Sequence, residues 1–206
     1  MATFAHADPR TDNHDEFVAR ALAKWPSVPA CYGWLGLSGR GDWLLQGAPI
    51  AHAGLRDFLS RHYQADTRGC WFVQNGPQRV YVELELAPWI FRLDGGHRLT
   101  THTGHLVARL DSLIVTDAAQ IFMLTEFGFG ALSDRDLAQF LTDCQYPLDT
   151  LASGEVLAPL LELSLGRAAS FALEWRAQRM NCRYVAARDL EREFGFQCRP
   201  PAAGPA

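Results

Sequence analysis

A short phrase that occurs twice constrains this chain more than any other feature. Gly54-Leu55-Arg56-Asp57-Phe58-Leu59 and Asp136-Leu137-Ala138-Gln139-Phe140-Leu141 share Leu-x-x-Phe-Leu, and 82 residues separate Leu55 from Leu137. A strand-like apolar run precedes each copy: Trp43-Leu44-Leu45 in the first, Ile121-Phe122-Met123-Leu124 in the second. Self-similarity at a fixed spacing is the mark of a duplicated supersecondary unit.

The flanking residues predict what each unit contains. An N-terminal helix is signalled by Asp12 or Asn13 as N-cap, with Phe17, Val18, Ala21 and Leu22 at helical spacing before Pro26 and Pro29 stop it. Two short strands follow, Cys31 to Leu37 and Asp42 to Gln46, joined by the glycine-rich turn Ser38-Gly39-Arg40-Gly41. A helix from about Ala51 to Tyr63 carries Leu55, Phe58 and Leu59 on its apolar face. Gly69 to Gln74 and Gln78 to Leu86 read as a hairpin, and the missing amide of Pro77 predicts a loop longer than two residues. Along its second strand Val80, Val82, Leu84 and Leu86 alternate with Arg79, Tyr81, Glu83 and Glu85, so one face is core and the other is solvent or a site. Trp89 to Leu93 and Arg98 to Leu106 are further strands around Asp94-Gly95-Gly96.

The second unit repeats the plan. Strands are expected at Ser112 to Thr116 and Gln120 to Thr125, a flexible connection at Gly128-Phe129-Gly130, and a helix to about Asp143 opened by the capping-box-like Ser133-Asp134-Arg135-Asp136. Gly154 to Gly166 fits neither period, and Pro159 weakens a helix there unless it lies in the first turn. Phe171 to Arg176 and Cys182 to Ala186 read as a strand pair across Met180-Asn181, and Ala187 to Phe194 as a last helix ended by Gly195. The expected organisation is therefore a tail and helix over 1–24, a first αβ unit over 25–100, a second over 101–198 and a disordered tail over 199–206.

Composition excludes several classes of function. A net charge of −4 and basic residues interspersed with acids argue against a nucleic-acid partner. The first residues have neither the basic flank nor the apolar run of a signal peptide, and no apolar stretch approaches the ~20 residues of a membrane span. Five scattered cysteines without Cys-x-x-Cys spacing argue against a disulfide framework or a zinc site, and fit free thiols in a cytoplasmic protein.

Candidate chemistry is sparse. His97 and His105 would lie ~26 Å apart on one extended strand, with His102 on the opposite face from His105, so only a sharp bend gathers them; no metal site is expected. No Gly-x-Ser-x-Gly elbow exists, and the only lysine is Lys24, which argues against P-loop or Schiff-base chemistry elsewhere. Glu83 and Glu85 share a strand face ~7 Å apart, a spacing compatible with acid–base work but ordinary for solvated charges. What remains is an aromatic- and arginine-bearing surface. Arg79, Tyr81, Glu83, Trp89 and Arg92 are the residues expected to bind a ligand or partner.

Gly41-Asp42-Trp43, then Gly47-Ala48-Pro49-Ile50, then Val82-Glu83-Leu84-Glu85-Leu86-Ala87-Pro88-Trp89, form the pattern Gly-x-Trp, Gly-x-Pro-Ile and an acidic strand closing on Ala-Pro-aromatic. Over about Gly33 to Leu93, and more weakly over His102 to Cys144, this resembles an uncharacterised proteobacterial domain-of-unknown-function family. The resemblance implies a bacterial protein of repeated helix-plus-antiparallel-strand motifs and a link to signal transduction. The family has no established catalytic residues to carry over.

The sequence thus predicts an α+β protein of two related units, each with antiparallel strands around one helix, plus N- and C-terminal helices. The expected function is a non-enzymatic cytoplasmic binding or regulatory module without cofactor, metal, nucleic acid or membrane, for a protein or small-molecule partner. The alternative is a small hydrolase or isomerase using Asp or Glu with His. Composition is silent on oligomeric state.

Overall fold

A computed structural model describes residues 28–149 and 154–201. The expected N-terminal helix falls outside the described residues. Within them the chain forms two compact units, one of 28–38, 42–85 and 196–201, the other of 39–41, 86–149 and 154–195. The fold is α+β, built on mixed sheets with few helices.

The first unit comprises β1 (Cys31–Leu37), β2 (Trp43–Leu45), β3 (Ala48–Pro49), α1 (Ala53–Arg61), β4 (Tyr63–Ala65), β5 (Trp71–Asn75) and β6 (Gln78–Leu84). They form one sheet in the order β3-β2-β1-β6-β5-β4. Its neighbours are antiparallel except β1 and β6, which run parallel with Leu35 opposite Val82. The second unit comprises β7 (Trp89–Leu93), β8 (Leu99–Thr101), β9 (Leu110–Val115), β10 (Ile121–Thr125), β11 (Gly128–Leu132), α2 (Leu137–Thr142), β12 (Cys144–Gln145), α3 (Leu157–Ser164), β13 (Phe171–Trp175), β14 (Gln178–Tyr184) and α4 (Leu190–Phe194). Its sheet runs β12-β13-β14-β9-β10-β11-β7-β8.

Read from β11 to β12, the second sheet repeats the first element for element. Three strands lead to a helix, a short strand and a hairpin, with α3 added before the hairpin in the second copy only, and the hairpin's last strand returns parallel to the opening one, β6 beside β1 and β14 beside β9. The duplication announced by Leu-x-x-Phe-Leu is therefore a duplication of topology. In both copies the motif's Phe and following Leu lie on the helix, with Leu59 buried in α1 and Phe140 fully buried in α2. The all-antiparallel expectation needs one amendment, the parallel pairings of β1 with β6, β9 with β14 and β7 with β11. Such pairs need a long crossover, and local sequence signals cannot register one.

Several boundaries move for identifiable reasons. The β5–β6 loop has only two residues, Gly76 and Pro77, because Asn75 pairs with Gln78. Gly76 takes φ 55° at the first loop position and proline occupies the second, the pattern of a II′ turn, which leaves no ladder amide missing. The second hairpin turns at Arg176 and Ala177, not at Met180-Asn181; both have positive φ, 51° and 60°, which neither residue type advertises. Ser133 and Asp136 form no capping box. The Asp136 carboxylate instead accepts from the amide of Leu93 at 3.2 Å. Pro159 does lie in the first turn of α3. The expected strand Arg98 to Leu106 stops at Thr101, where the Thr101–Gly104 turn bends the chain.

Gly128-Phe129-Gly130 is strand β11, not a connection. Gly130 pairs with Trp89 of β7, and a Cβ there would sit 2.5 Å from the Trp89 carbonyl oxygen and 2.5 Å from Phe91 Cε2. Glycine is required by this close approach of two strands.

All five cysteines are free thiols, Cys70, Cys144 and Cys182 buried and Cys31 and Cys198 half-buried. Burial pushes the thiols of Cys144 and Cys182 up to about 12, leaving almost no thiolate near neutrality. A disulfide-exchange reagent added to the native protein at pH 8 is therefore expected to label Cys31 and Cys198 first. Labelling should approach five thiols only in denaturant; rapid native labelling of Cys144 or Cys182 would contradict this burial.

Candidate functional site

The charged face of the first sheet is built around one turn. Asp66-Thr67-Arg68-Gly69 links β4 to β5, with aspartate and glycine at the two ends that a type I turn favours. Asp66 Oδ1 accepts from the backbone amides of Arg68 (2.9 Å) and Cys70 (3.0 Å), and the amide of Gly69 donates to the Asp66 carbonyl. The C-terminal segment braces the same turn from outside. The Gln197 amide donates to the Gly69 carbonyl, its side chain donates to the Arg68 carbonyl at 3.0 Å, and the Leu84 amide donates to the carbonyl of Cys198.

This turn faces the side chains of β6. Arg68 donates through Nε (3.0 Å) and Nη2 (2.9 Å) to Asp66 Oδ2, which also accepts from the Tyr81 hydroxyl at 3.0 Å. Arg68 Nη2 donates to that hydroxyl at 3.1 Å, closing the triad. Tyr81 is 4% exposed, packed on Cys70 and Phe72, and Tyr32 stacks flat on it with ring centroids 4.6 Å apart. Burial pushes the Asp66 carboxyl up, but the bonds from the Arg68 guanidinium, the two amides and the Tyr81 hydroxyl outweigh it and hold the group below its ordinary value. Burial also raises the Tyr81 phenol, so it remains a donor at neutral pH.

Beside the triad, the guanidinium of Arg79 lies over the Phe72 ring, 4.7 Å from its centroid. Among the described residues Arg79 forms no ion pair. Gln64, Ala65, Asp66, Thr67, Arg68, Phe72, Arg79 and Tyr81 line an open depression of about 460 Å³. Arg79 also acts on Tyr81 through a side-chain hydrogen bond, and a guanidinium over an aromatic ring has further N–H donors to offer a planar anion.

Of the five residues expected from sequence, Arg79 and Tyr81 meet in this depression. Glu83 is exposed on the same strand, outside the lining. Trp89 and Arg92 belong to β7 of the second sheet. Trp89 is buried against His102 and Phe127, and Arg92 donates to the carbonyl of Arg40. Asp66 and Arg68 were missed, although the Asp-Thr-Arg-Gly turn signature was there to be read.

The bend after Thr101 does bring His102 and His105 into one aromatic neighbourhood with Trp89 and Phe127. The His102 Nδ1 accepts from the Ile90 amide, and burial, with Arg92 and His105 adding to it, pushes its pKa down to about 3. No group of metal-ligating side chains gathers among the described residues. An aspartate–histidine contact occurs at His97 Nδ1 and Asp143 Oδ2, 3.2 Å apart, with the imidazole 47% exposed.

Residues 14–201 match the family described as a protein of unknown function (DUF2946). The chain belongs to that family. Among solved structures it is similar to a DUF1285 family protein from Silicibacter pomeroyi DSS-3, at 12% identity and a TM-score of 0.44 over 58% of this chain and 73% of that one. It is also similar to a DUF1285 family protein from Shewanella baltica OS155, at 20% identity and a TM-score of 0.40 over 56% of this chain and 92% of the other. No curated protein matches. Among the described residues no helix is long and apolar enough to cross a membrane.

Proposed function

We propose that this family member is a non-enzymatic binding or regulatory module, cytoplasmic and linked to signalling, whose first unit recognises an anionic group on a protein or small-molecule partner. The observation that carries this reading is Arg79, a cation stacked on Phe72 and left without an acid among the described residues. Arg68, by contrast, is neutralised by Asp66. The braced turn holds the triad rigid, so little ordering entropy opposes binding at its rim. Thr67 and Gln64 add neutral hydrogen-bonding groups to that rim.

Two probes test it, inorganic phosphate and a short acidic peptide, followed by amide chemical shifts. Shifts are expected at Gln64, Thr67 and Arg79 with either probe. Arg79→Ala should remove them while changing stability by less than about 1 kcal/mol, because the side chain is exposed. Glu83→Ala, outside the lining, should leave them intact. Identical titrations for the wild type and Arg79→Ala would refute the reading.

A further inference from the structure

α3 has no counterpart in the first unit. The step between matching residues grows across it, from 82 at Leu55 and Leu137 to 100 at Gln78 and Gln178. Its inner face is buried through Leu160, Leu163 and Ser164, behind the buried Val156 that precedes the helix. Its outer face is also apolar. Leu157, Leu161 and Leu165 are 59%, 51% and 53% exposed, and their spacing of four places them in one stripe, ~12 Å long at 1.5 Å per residue. Single exposed leucines are ordinary, but three in register on an inserted helix form a contiguous patch.

The stripe is symmetric about its own centre. An antiparallel second helix with Leu161 set on Leu161 brings Leu157 to Leu165 and Glu155 to the level of Arg167, on both sides of the two-fold axis at once. Glu155 and Arg167 are exposed and form no ion pair among the described residues. The chain turns through Gly166, with the Arg167 amide bonded to the Glu162 carbonyl and the Gly166 amide to that of Leu163. These are the two bonds of a Schellman cap, which fix the backbone of Arg167 at the helix end. Acid at one end and base at the other suit an antiparallel copy and repel a parallel one.

We propose that the outer face of α3 is a self-association surface, taking the same face of a second copy of this chain in an antiparallel, two-fold contact centred on Leu161. The contact is isologous, so each substitution acts twice. Its short length places it well below a standard interface, and the expected dimer is weak, with a dissociation constant of about 10–500 µM. The proposal is independent of the Arg79 face.

Sedimentation equilibrium of the full chain, from micromolar to near-millimolar concentration, tests it. The wild type should move from monomer to dimer. Leu161→Glu sets a carboxylate against its symmetry mate and should weaken association about tenfold or more, with Leu161→Gln as a neutral check should the acid disturb folding. Glu155→Arg and Arg167→Glu should each weaken it about threefold and, combined, restore most of the loss, an effect that fades at high salt. A wild type monomeric throughout the range, association unchanged by both Leu161 variants, or a double charge reversal no better than the single ones would each overturn the proposal.

Discussion

Gly130→Ala is expected to destabilise this protein severely. The new Cβ would lie 2.5 Å from the Trp89 carbonyl oxygen, 2.7 Å from the Trp89 Cβ and 2.5 Å from Phe91 Cε2. The first two belong to the paired strand itself and cannot swing aside, so β7 must separate from β11. Phe91 is fully buried, and the Gly130–Trp89, Ala131–Ile90 and Leu132–Phe91 register is lost with it. Overpacking of this kind costs about 3 kcal/mol or more, far beyond what alanine recovers through its smaller unfolded-state entropy. Gly36 is the matched control. It is also a strand glycine without positive φ, but a Cβ there meets nothing nearer than 3.5 Å. Urea melts should show Gly36→Ala within about 1 kcal/mol of wild type and Gly130→Ala severely destabilised. Equal midpoints for the two variants would mean that the approach of β7 to β11 is looser than described.

The second large effect is expected at Asp66. Asp66→Ala removes the acceptor for two backbone amides, the Arg68 guanidinium and the Tyr81 hydroxyl in one step. The Tyr81 hydroxyl and the Cys70 amide are then left in a part-buried site without that partner, a loss of about 2–3 kcal/mol. Asp66→Asn keeps a carbonyl oxygen for the two amides and should cost about half as much. The pH dependence separates charge from shape. Because the folded carboxyl titrates below its ordinary value, its contribution to stability is complete above the unfolded pKa of about 3.9 and disappears as pH falls through the folded one. Wild-type stability should therefore fall more steeply in acid than that of Asp66→Asn. Parallel pH profiles for the two proteins would show that the charge of Asp66 does nothing for the fold.

Legibility in the sequence followed the range of the interactions. Strands β1, β2, β6, β7 and β10 and helices α1 and α2 could be read because apolar periodicity acts within a few positions. Arg79 and Tyr81 were legible as candidates for the same reason, since alternation along β6 sets them on one side of the sheet. Asp66 and Arg68 were hidden because a turn tetrad announces a bend and not what its side chains will meet across the sheet. The Arg176-Ala177 turn was hidden because neither residue favours positive φ, and the surrounding ladder imposes it.

From local patterning alone, then, this chain was determined to be α+β and duplicated, with a charged, aromatic face on Gln78–Leu84. Tertiary structure alone decided that β1 pairs parallel with β6, that Gly130 must be glycine, and that Arg68 is neutralised by Asp66 while Arg79 meets no acid among the described residues. It also decided that Leu157, Leu161 and Leu165 face outward while Leu160 and Leu163 are buried. The physical reason is common to all four. Each depends on which distant backbone or side chain arrives within a few ångströms, and residues far apart in sequence carry no local signal of that meeting.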